Sequence, residues 1–512
     1  MLWILAVLFL TIIWIMRDRW NNRRLIALAE QLAPRSIALP FVGHAYRFLG
    51  DDEDRMETFK KIGYEAMEKG GLISHWQGNK LYVLVADAGD AEVLLKTCLE
   101  KDDVMKFFRV LLGNGSVFAP VSIWRPRRKM LAPTFSPKNL NSFVNVFSDQ
   151  SSSMVEQLRS VAGQGAFSIW KYLTAYTMDS VCETALGIKM NSQLQPDQPF
   201  LHAFENCCRL DAKRICQPWL YNDKVYRFFC TNDSELHAYS KELIWNFMNK
   251  IISTKGEELK KQKMDQDISA TKKESWKTFL ELLMESSVEY NNVTLREETL
   301  VIVLAGTDTS AVGSAFTTVM MAKYPDVQDK VYQELQDVFG DSDRPVTPED
   351  LPRLKYLEAV IKETLRMYPP VPFIVRKVEK DVTLPSGITL VEGCGLFISI
   401  WSIHRNPRYW GADAEQFRPE RFLDAPPTHP AAFMPFSHGP RSCLGYQYAM
   451  MSMKTALATM LRRHRVLPNE TNDNVSQDKL HSTDGTKRDE LRVKFDVMMR
   501  DVNNFVVQLE LR

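Results

Sequence analysis

The sequence predicts a mainly helical protein with a small β-rich subdomain, joined at its amino end to a transmembrane helix. Three observations predict it. Apolar residues recur at helical spacing through most of 139–304, as in Phe143 to Leu158 and His237 to Ile252. Strand-like runs are short and lie near the two ends of the chain, Leu81 to Val85 early and two alternating runs after Glu490. Leu2 to Met16 is almost continuously apolar, and Arg17, Arg19, Arg23 and Arg24 follow at once. A chain of 512 residues, 45% hydrophobic and 25% charged, has room for two domains or one large helical one. Its formal net charge of +1 gives no reason to expect nucleic acid as a partner.

The apolar run is slightly shorter than the ~20 residues that span a bilayer, with Trp14 and Trp20 placed for the interface. A cleaved signal peptide competes, but no basic segment precedes the run and no small-x-small site follows it. Residues 1–16 are therefore expected to be an uncleaved single-pass anchor, its basic flank holding the bulk of the chain on the cytoplasmic side. Residues 17–43 form the flank, a short helix over Arg24 to Leu32 near the membrane, and a hinge stiffened by Pro34 and Pro40. Residues 44–512 form the folded domain. Leu81 to Val85 reads as a strand and Asp87 to Cys98 as a helix, so an early sheet is mixed with helices. Lys255 to Ser275 and Pro468 to Lys487 are strongly polar, and read as a helix end with a flexible loop and as an inserted surface loop. Leu491 to Val497 and Phe505 to Leu511 alternate like the arms of one hairpin. The eight cysteines show no CxxC pair or zinc spacing, and Cys207 and Cys208 are adjacent in a helical run. That argues against a disulfide framework and for a reducing compartment.

One cysteine stands apart. Cys443 sits in Phe436-Ser437-His438-Gly439-Pro440-Arg441-Ser442-Cys443-Leu444-Gly445, which opens onto a helical run from Tyr446. A lone thiol framed by glycines, a ring and an arginine at a helix start suits presentation of a thiolate to haem iron. Gly439 and Gly445 would let the backbone approach a flat macrocycle. The helix N-terminus would lower the thiol pKa, and thiolate ligation favours O–O cleavage. Arg441 is placed to reach a propionate and Phe436 to cover the proximal side. Taken alone, the competing reading is a buried structural cysteine.

A second string, Ala305-Gly306-Thr307-Asp308-Thr309-Ser310, lies mid-way along the helical segment Glu297 to Lys323. Gly306 and its β-branched neighbours weaken a helix there, and hydroxyls can satisfy any freed carbonyls. The resulting groove would admit dioxygen, with Asp308 and Thr309 as acid and alcohol to pass protons. Glu363 and Arg366 face one side of the helix Tyr356 to Met367, a pairing common on surfaces and worth little there.

Together these strings resemble the motifs of the cytochrome P450 monooxygenases: Phe-x-x-Gly-x-Arg-x-Cys-x-Gly at 436–445, the oxygen-activation motif at 305–310, and Glu-x-x-Arg at 363–366. The resemblance implies the mainly helical P450 fold, haem b (iron protoporphyrin IX) and Cys443 as axial ligand. Ala305 and Gly306 would then lie over the haem. It implies that Glu363 and Arg366 join Arg421, in Phe417 to Phe422, as a structural network fixing the ligand loop. Trp124 and Arg128 match the Trp-x-x-x-Arg helix that meets the propionates, and Arg376 falls where another propionate partner is placed. Arg125, Arg127 and Lys129 read as a solvated charge run, able to attract an acidic electron donor. His438 reads as a packing residue.

The implied reaction inserts one atom of dioxygen into a lipophilic substrate, a fatty acid, hormone-like lipid or xenobiotic. No nucleotide-binding Gly-x-Gly-x-x-Gly follows a strand, so electrons from NADPH would arrive through a separate NADPH–cytochrome P450 reductase, with or without cytochrome b5. The implied location is the endoplasmic reticulum membrane. The chain looks closest to the clan of long-chain fatty-acid ω-hydroxylases and its arthropod branches, through Arg19-Trp20, Phe135-Ser136-Pro137-Lys138 and Tyr324-Pro325-Asp326-Val327-Gln328. It departs from them at Ala305, where many carry a Glu that esterifies the haem. Two other classes compete: a haem-thiolate isomerase or dehydratase of lipid hydroperoxides, and a non-catalytic haem or lipid binder. Val303, Leu304, Phe373, Ile374 and Val375 are expected to line the substrate pocket, with 200–229 and 497–506 closing it.

Overall fold

The computed structural model describes residues 9, 13, 16–17, 19–195, 199–266, 277–285, 292–424, 427–469 and 490–512. The expected anchor lies almost wholly outside these residues, as do the end of the first polar stretch and most of the second.

Helix α1 (Arg23–Gln31) has one face on protein: Leu28 and Ala29 are buried, and Ser74 donates from N to Leu32 O (2.8 Å) and from Oγ to Ala29 O (3.0 Å). Helix α2 (Asp52–Glu68) starts at a reciprocal cap, Asp51 accepting from Asp54 N–H and Asp54 accepting from Asp51 N–H (both 3.0 Å). Strands β1 (Leu72–Gln77) and β2 (Lys80–Val85) form a hairpin, and α3 (Ala88–Thr97) follows from the Asp87 cap. The sheet is completed from far along the chain by β3 (Phe373–Lys377) and β4 (Gly395–Ser399), in the order β1-β2-β4-β3. Only the β2–β4 pairing is parallel.

The helical body comprises α4 (Val121–Leu131), α5 (Pro137–Arg159), α6 (Trp170–Val181), α7 (Pro199–Cys216), α8 (Thr231–Gln266), α9 (Asn292–Lys323), α10 (Lys355–Met367) and α11 (Tyr446–Arg463). Helix α9 is apolar on nearly every face, which makes it an interior helix. Among the described residues it alone is long and apolar enough to cross a bilayer, yet 78% of its most apolar window is buried in protein. It packs against α6, α8, α10 and α11, and the main core lies around its second half, with Phe147, Phe316, Leu357 and Leu457 fully buried. The polar stretch from Lys255 is helical to the end of α8, with Lys255 buried against Glu281 (3.0 Å).

The chain ends in β5 (His464–Leu467), β6 (Val493–Asp496), β7 (Met498–Asp501) and β8 (Val506–Leu511). The two alternating terminal runs are strands but not partners of one another. β6 turns at Val497, whose φ is 79°, and pairs with β7, while β8 pairs with β5 and with Phe167–Ser168. Alternation reports which face of a strand is buried and is silent on which neighbour it takes. All eight cysteines are free.

Candidate active site

A cavity of about 380 Å³ lies between α9 and the loop 435–445. Cys443 opens into it, so the thiol is accessible although it is surrounded by protein atoms. Its N–H donates to Phe436 O (2.8 Å), closing the loop on itself. Burial pushes the thiol pKa up, against the opposing Gly445 N–H and Arg128. The expected lowering by the helix terminus is thus outweighed by desolvation in the protein alone. Phe436 lines the cavity and packs edge-on to Tyr446 (4.8 Å). The two glycines do different work. Gly445 is a wall residue, where a Cβ would come 4.0 Å from the Cys443 sulfur. Gly439 is not a wall residue: its φ of 74° and the Leu95 carbonyl, 2.7 Å from any Cβ, demand glycine against α3. His438 lies beside Glu92 of α3 (3.4 Å).

One end of the cavity is cationic. Trp124, Arg128, Arg376 and Arg441 all line it, joined by Lys101, which no motif had singled out. Lys101 sits in a Glu-Lys-Asp-Asp run that reads as solvated surface. Arg441 lies over the Trp124 ring (4.5 Å) and donates to Ala119 O (2.6 Å), and Arg128 donates to Ser442 O (2.7 Å). Burial and mutual repulsion hold Arg376 down to about 9, and burial foremost holds Arg441 down to about 10. Lys101 is lowered well below its usual value for the same reasons as Arg376. Arg376 Nε and Arg441 Nε and Nη1 are buried with no hydrogen-bond partner among the described residues. Buried cations left without acceptors are costly, and a pair of carboxylates is what would satisfy them. The donor set therefore fits haem b, whose two propionates these cations would hold.

The opposite wall is α9, contributing Glu298, Val301, Ile302, Ala305, Gly306, Thr309 and Ser310. The helix is unbroken here. Thr309 Oγ1 donates to Ala305 O (2.7 Å), and a Cβ on Gly306 would meet Val181 at 2.9 Å, so that glycine also admits α6. Asp308 adjoins Thr309 in sequence but does not line the cavity. Both its oxygens accept from Arg500 of β7 (2.9 and 3.1 Å). Arg500 also pairs with Glu205 of α7 (2.9 Å) and lies near Asp496 (3.4 Å). Three carboxylates share one guanidinium, burial raises Asp308, and Asp496 is pushed up to about 7. Of the five expected apolar lining residues only Ile374 is on the wall. Val303 and Leu304 are buried among α7 and α8, Phe373 in the main core, and Val375 behind the sheet. Successive helix and strand residues point apart, so runs of neighbours cannot share one wall. Val117, Phe279 and Val371 take their places, and nothing from 200–229 or 497–506 reaches it.

The loop bearing Cys443 is held from behind. Glu363 accepts from Arg366 (2.7 and 2.9 Å), from Arg421 Nε (3.0 Å) and from Arg418 N (2.8 Å), with Glu363 and Arg366 fully buried. Arg366 also donates to His404 O (2.7 Å) and Ala414 O (2.6 Å). His404, absent from the sequence reading, completes the link: Nδ1 meets Arg366 O (3.1 Å) and Nε2 accepts from Met434 N–H (2.9 Å). Burial lowers its pKa to about 3, so the ring is neutral. Arg125 and Lys129 are exposed as expected, but Arg127 is not. It is largely buried and donates to Glu298 (2.7 Å), because α4 turns that face toward α9.

A sequence model described as "Cytochrome P450" matches residues 34–495. The chain is similar to human "Cytochrome P450 4V2", 33% identical over 96% of this chain and 91% of the relative. It is similar to "Cytochrome P450 4d2" of Drosophila melanogaster, 31% identical over 88% and 90% respectively. With "Cytochrome P450 4c21" of Blattella germanica the figures are 31%, 90% and 92%.

Proposed function

The chain belongs to the cytochrome P450 family and is accordingly a haem b monooxygenase of lipophilic substrates; from that premise we propose that Cys443 is the iron ligand. The observation that carries this is the placement of Cys443, at the wall of a cavity that faces α9 and is also lined by Arg376 and Arg441, whose side chains keep buried nitrogens without acceptors. Trp124, Arg128, Arg376 and Arg441, with Lys101, hold the propionates. Phe436 and Gly445 shape the proximal side, and Ala305 and Gly306 leave room on the other. Gly439 belongs to the loop's fit against α3. When bound, the haem supplies dioxygen binding and activation, the chemistry side chains lack.

The chain's own part is to exclude water, orient substrate and move protons. Val117, Phe279, Val301, Ile302, Val371 and Ile374 give an apolar lining for a lipophilic molecule. The Thr309 hydroxyl, now donating to Ala305 O, is the proton donor that the 305–310 string sets on the cavity wall beside Ala305. Asp308 acts from behind it through the shared charge cluster with Arg500. Glu363, Arg366 and Arg421 hold the ligand loop and take no part in the chemistry. Residues 1–16 anchor the chain in the endoplasmic reticulum membrane, 17–43 are the hinge, and 44–512 form the catalytic domain on the cytoplasmic side. Electrons come from NADPH through a separate reductase. The substrate is a fatty acid, a hormone-like lipid or a xenobiotic, each of which the apolar lining suits.

The test is the ferrous–carbon monoxide spectrum of the folded, haem-loaded chain. A strongly red-shifted Soret band is expected, lost in Cys443→His with haem retained. A band unchanged by that substitution would remove Cys443 as ligand. NADPH consumption that depends on added reductase, with oxygenated product from a lipid and xenobiotic panel, tests the remainder.

A further inference from the structure

Adjacent residues of α4 reach in two directions. Arg128 donates to Ser442 O (2.7 Å), one residue before Cys443. Arg127 donates to Glu298 Oε1 (2.7 Å) on α9, and to Asn114 O. Glu298 Oε2 accepts from Ser116 Oγ (2.6 Å), so both its oxygens are held. Glu298 is fully buried, Arg127 has 12% of its side chain exposed, and Glu298 is the one carboxylate among the described cavity-lining residues. Burial raises its pKa against the opposing pulls of Ser116 and Arg127. The segment leading into Ser116 is pressed close to α9. A Cβ on Gly113 would come 2.1 Å from Glu297 Oε1, and one on Gly115 would come 2.4 Å from Val301.

Glu298 and Ala305 are seven residues apart, two helical turns, and therefore on one face of α9. Whatever fixes Glu298 fixes the height and rotation of Ala305 and Thr309 over the loop that Arg128 holds. We propose that Arg127, Glu298 and Ser116 form a buried clasp that sets the gap between α9 and the Cys443 loop, making Glu298 a positioning residue for ligand selection. The inference rests on the haem-thiolate reading. A buried ion pair adds little net stability, since desolvation offsets attraction, but it does demand one geometry. That is the property a spacer needs.

The gap is read by comparing ligands of different size on the full-length, haem-loaded chain in detergent. Imidazole probes the iron alone, whereas clotrimazole must also fit under α9. Glu298→Gln, Arg127→Met, their double variant and Ser116→Ala are titrated with both. The ferrous–carbon monoxide band is expected to stay in place in every variant. The ratio of clotrimazole to imidazole affinity should shift about tenfold in each of the two single variants and no further in the double. Ser116→Ala, which removes one hydrogen bond, should shift it about threefold and covers the case in which the charge variants do not fold. A ratio within about twofold of wild type in Glu298→Gln, or in Ser116→Ala where that alone folds, overturns the proposal. So do additive shifts in the double variant, since partners in one clasp cannot act independently. A lowered unfolding temperature with an unchanged ratio marks a merely structural pair and also overturns it. Absence of the thiolate-type band in wild type strikes the haem-thiolate reading instead.

Discussion

Thr309 and Asp308 are neighbours in sequence with opposite surroundings. Thr309 faces the cavity and needs only Ala305 O, whereas Asp308 is bound to a guanidinium and walled in by α7 and β7. Thr309→Ala should leave stability within about 1 kcal/mol, since one modest hydrogen bond is lost. It should lower product formed per NADPH by roughly 10- to 100-fold, with peroxide released instead. Product and peroxide assayed together check this, and unchanged coupling would remove Thr309 from the proton route. Asp308→Asn should behave differently, lowering stability by about 3 kcal/mol because Arg500 loses the buried carboxylate that meets it with both oxygens. Denaturant unfolding of the haem-loaded chain reads that difference. The string 305–310 was legible as residue types. That Asp308 points at Arg500 was not, because Arg500 lies 192 positions away.

Among elements, the loop carrying Cys443 depends on α10. Glu363 there holds Arg366 and Arg421, and Arg366 reaches Met434 through His404. Glu363→Ala leaves two buried guanidiniums without their carboxylate and should cost about 3–5 kcal/mol. The expected readout is a loss of haem retention and of the ferrous–carbon monoxide band, and full retention would show that the loop stands without the network. As a bare i, i+3 pair it was indistinguishable from a surface ion pair. Burial makes the difference, and burial belongs to the packing. Helix α3 was legible almost to the residue because its Asp87 cap is local. The pairing of the terminal strands was not, because the register of β8 is set by β5, well upstream.

The whole molecule carries its buried ionisable groups into its pH response. His404 and His75 are both lowered to about 3 by burial, while in the unfolded chain they protonate near 6.5. Below that value the unfolded state binds protons that the folded state refuses, so each histidine costs stability as pH falls from about 6.5 toward 3. The slope approaches about 1.4 kcal/mol per pH unit for each. His404→Asn should therefore lose less stability than wild type between pH 7 and 5 in thermal unfolding, and parallel curves would refute the neutral ring. Asp496, raised from 3.8 to about 7, has the opposite sign: its neutral form favours the fold, and that contribution, full below 3.8, is lost as pH rises from there to about 7. Asp496→Asn should gain on wild type over that rise. At the amino end, deletion of residues 1–22 should release the chain from membranes in flotation assays without altering the ferrous–carbon monoxide band.

What the sequence determined by itself was local in origin: helical periodicity, caps, the residues around Cys443 and the string at 305–310, each legible within a few residues. Tertiary structure alone decided which carbonyl demanded Gly439, which cations crowded one end of the cavity, and which carboxylate Arg127 would meet. Those contacts join segments tens to hundreds of residues apart, and the energies that select them come from desolvation and close packing. Both exist only once the chain has folded around them.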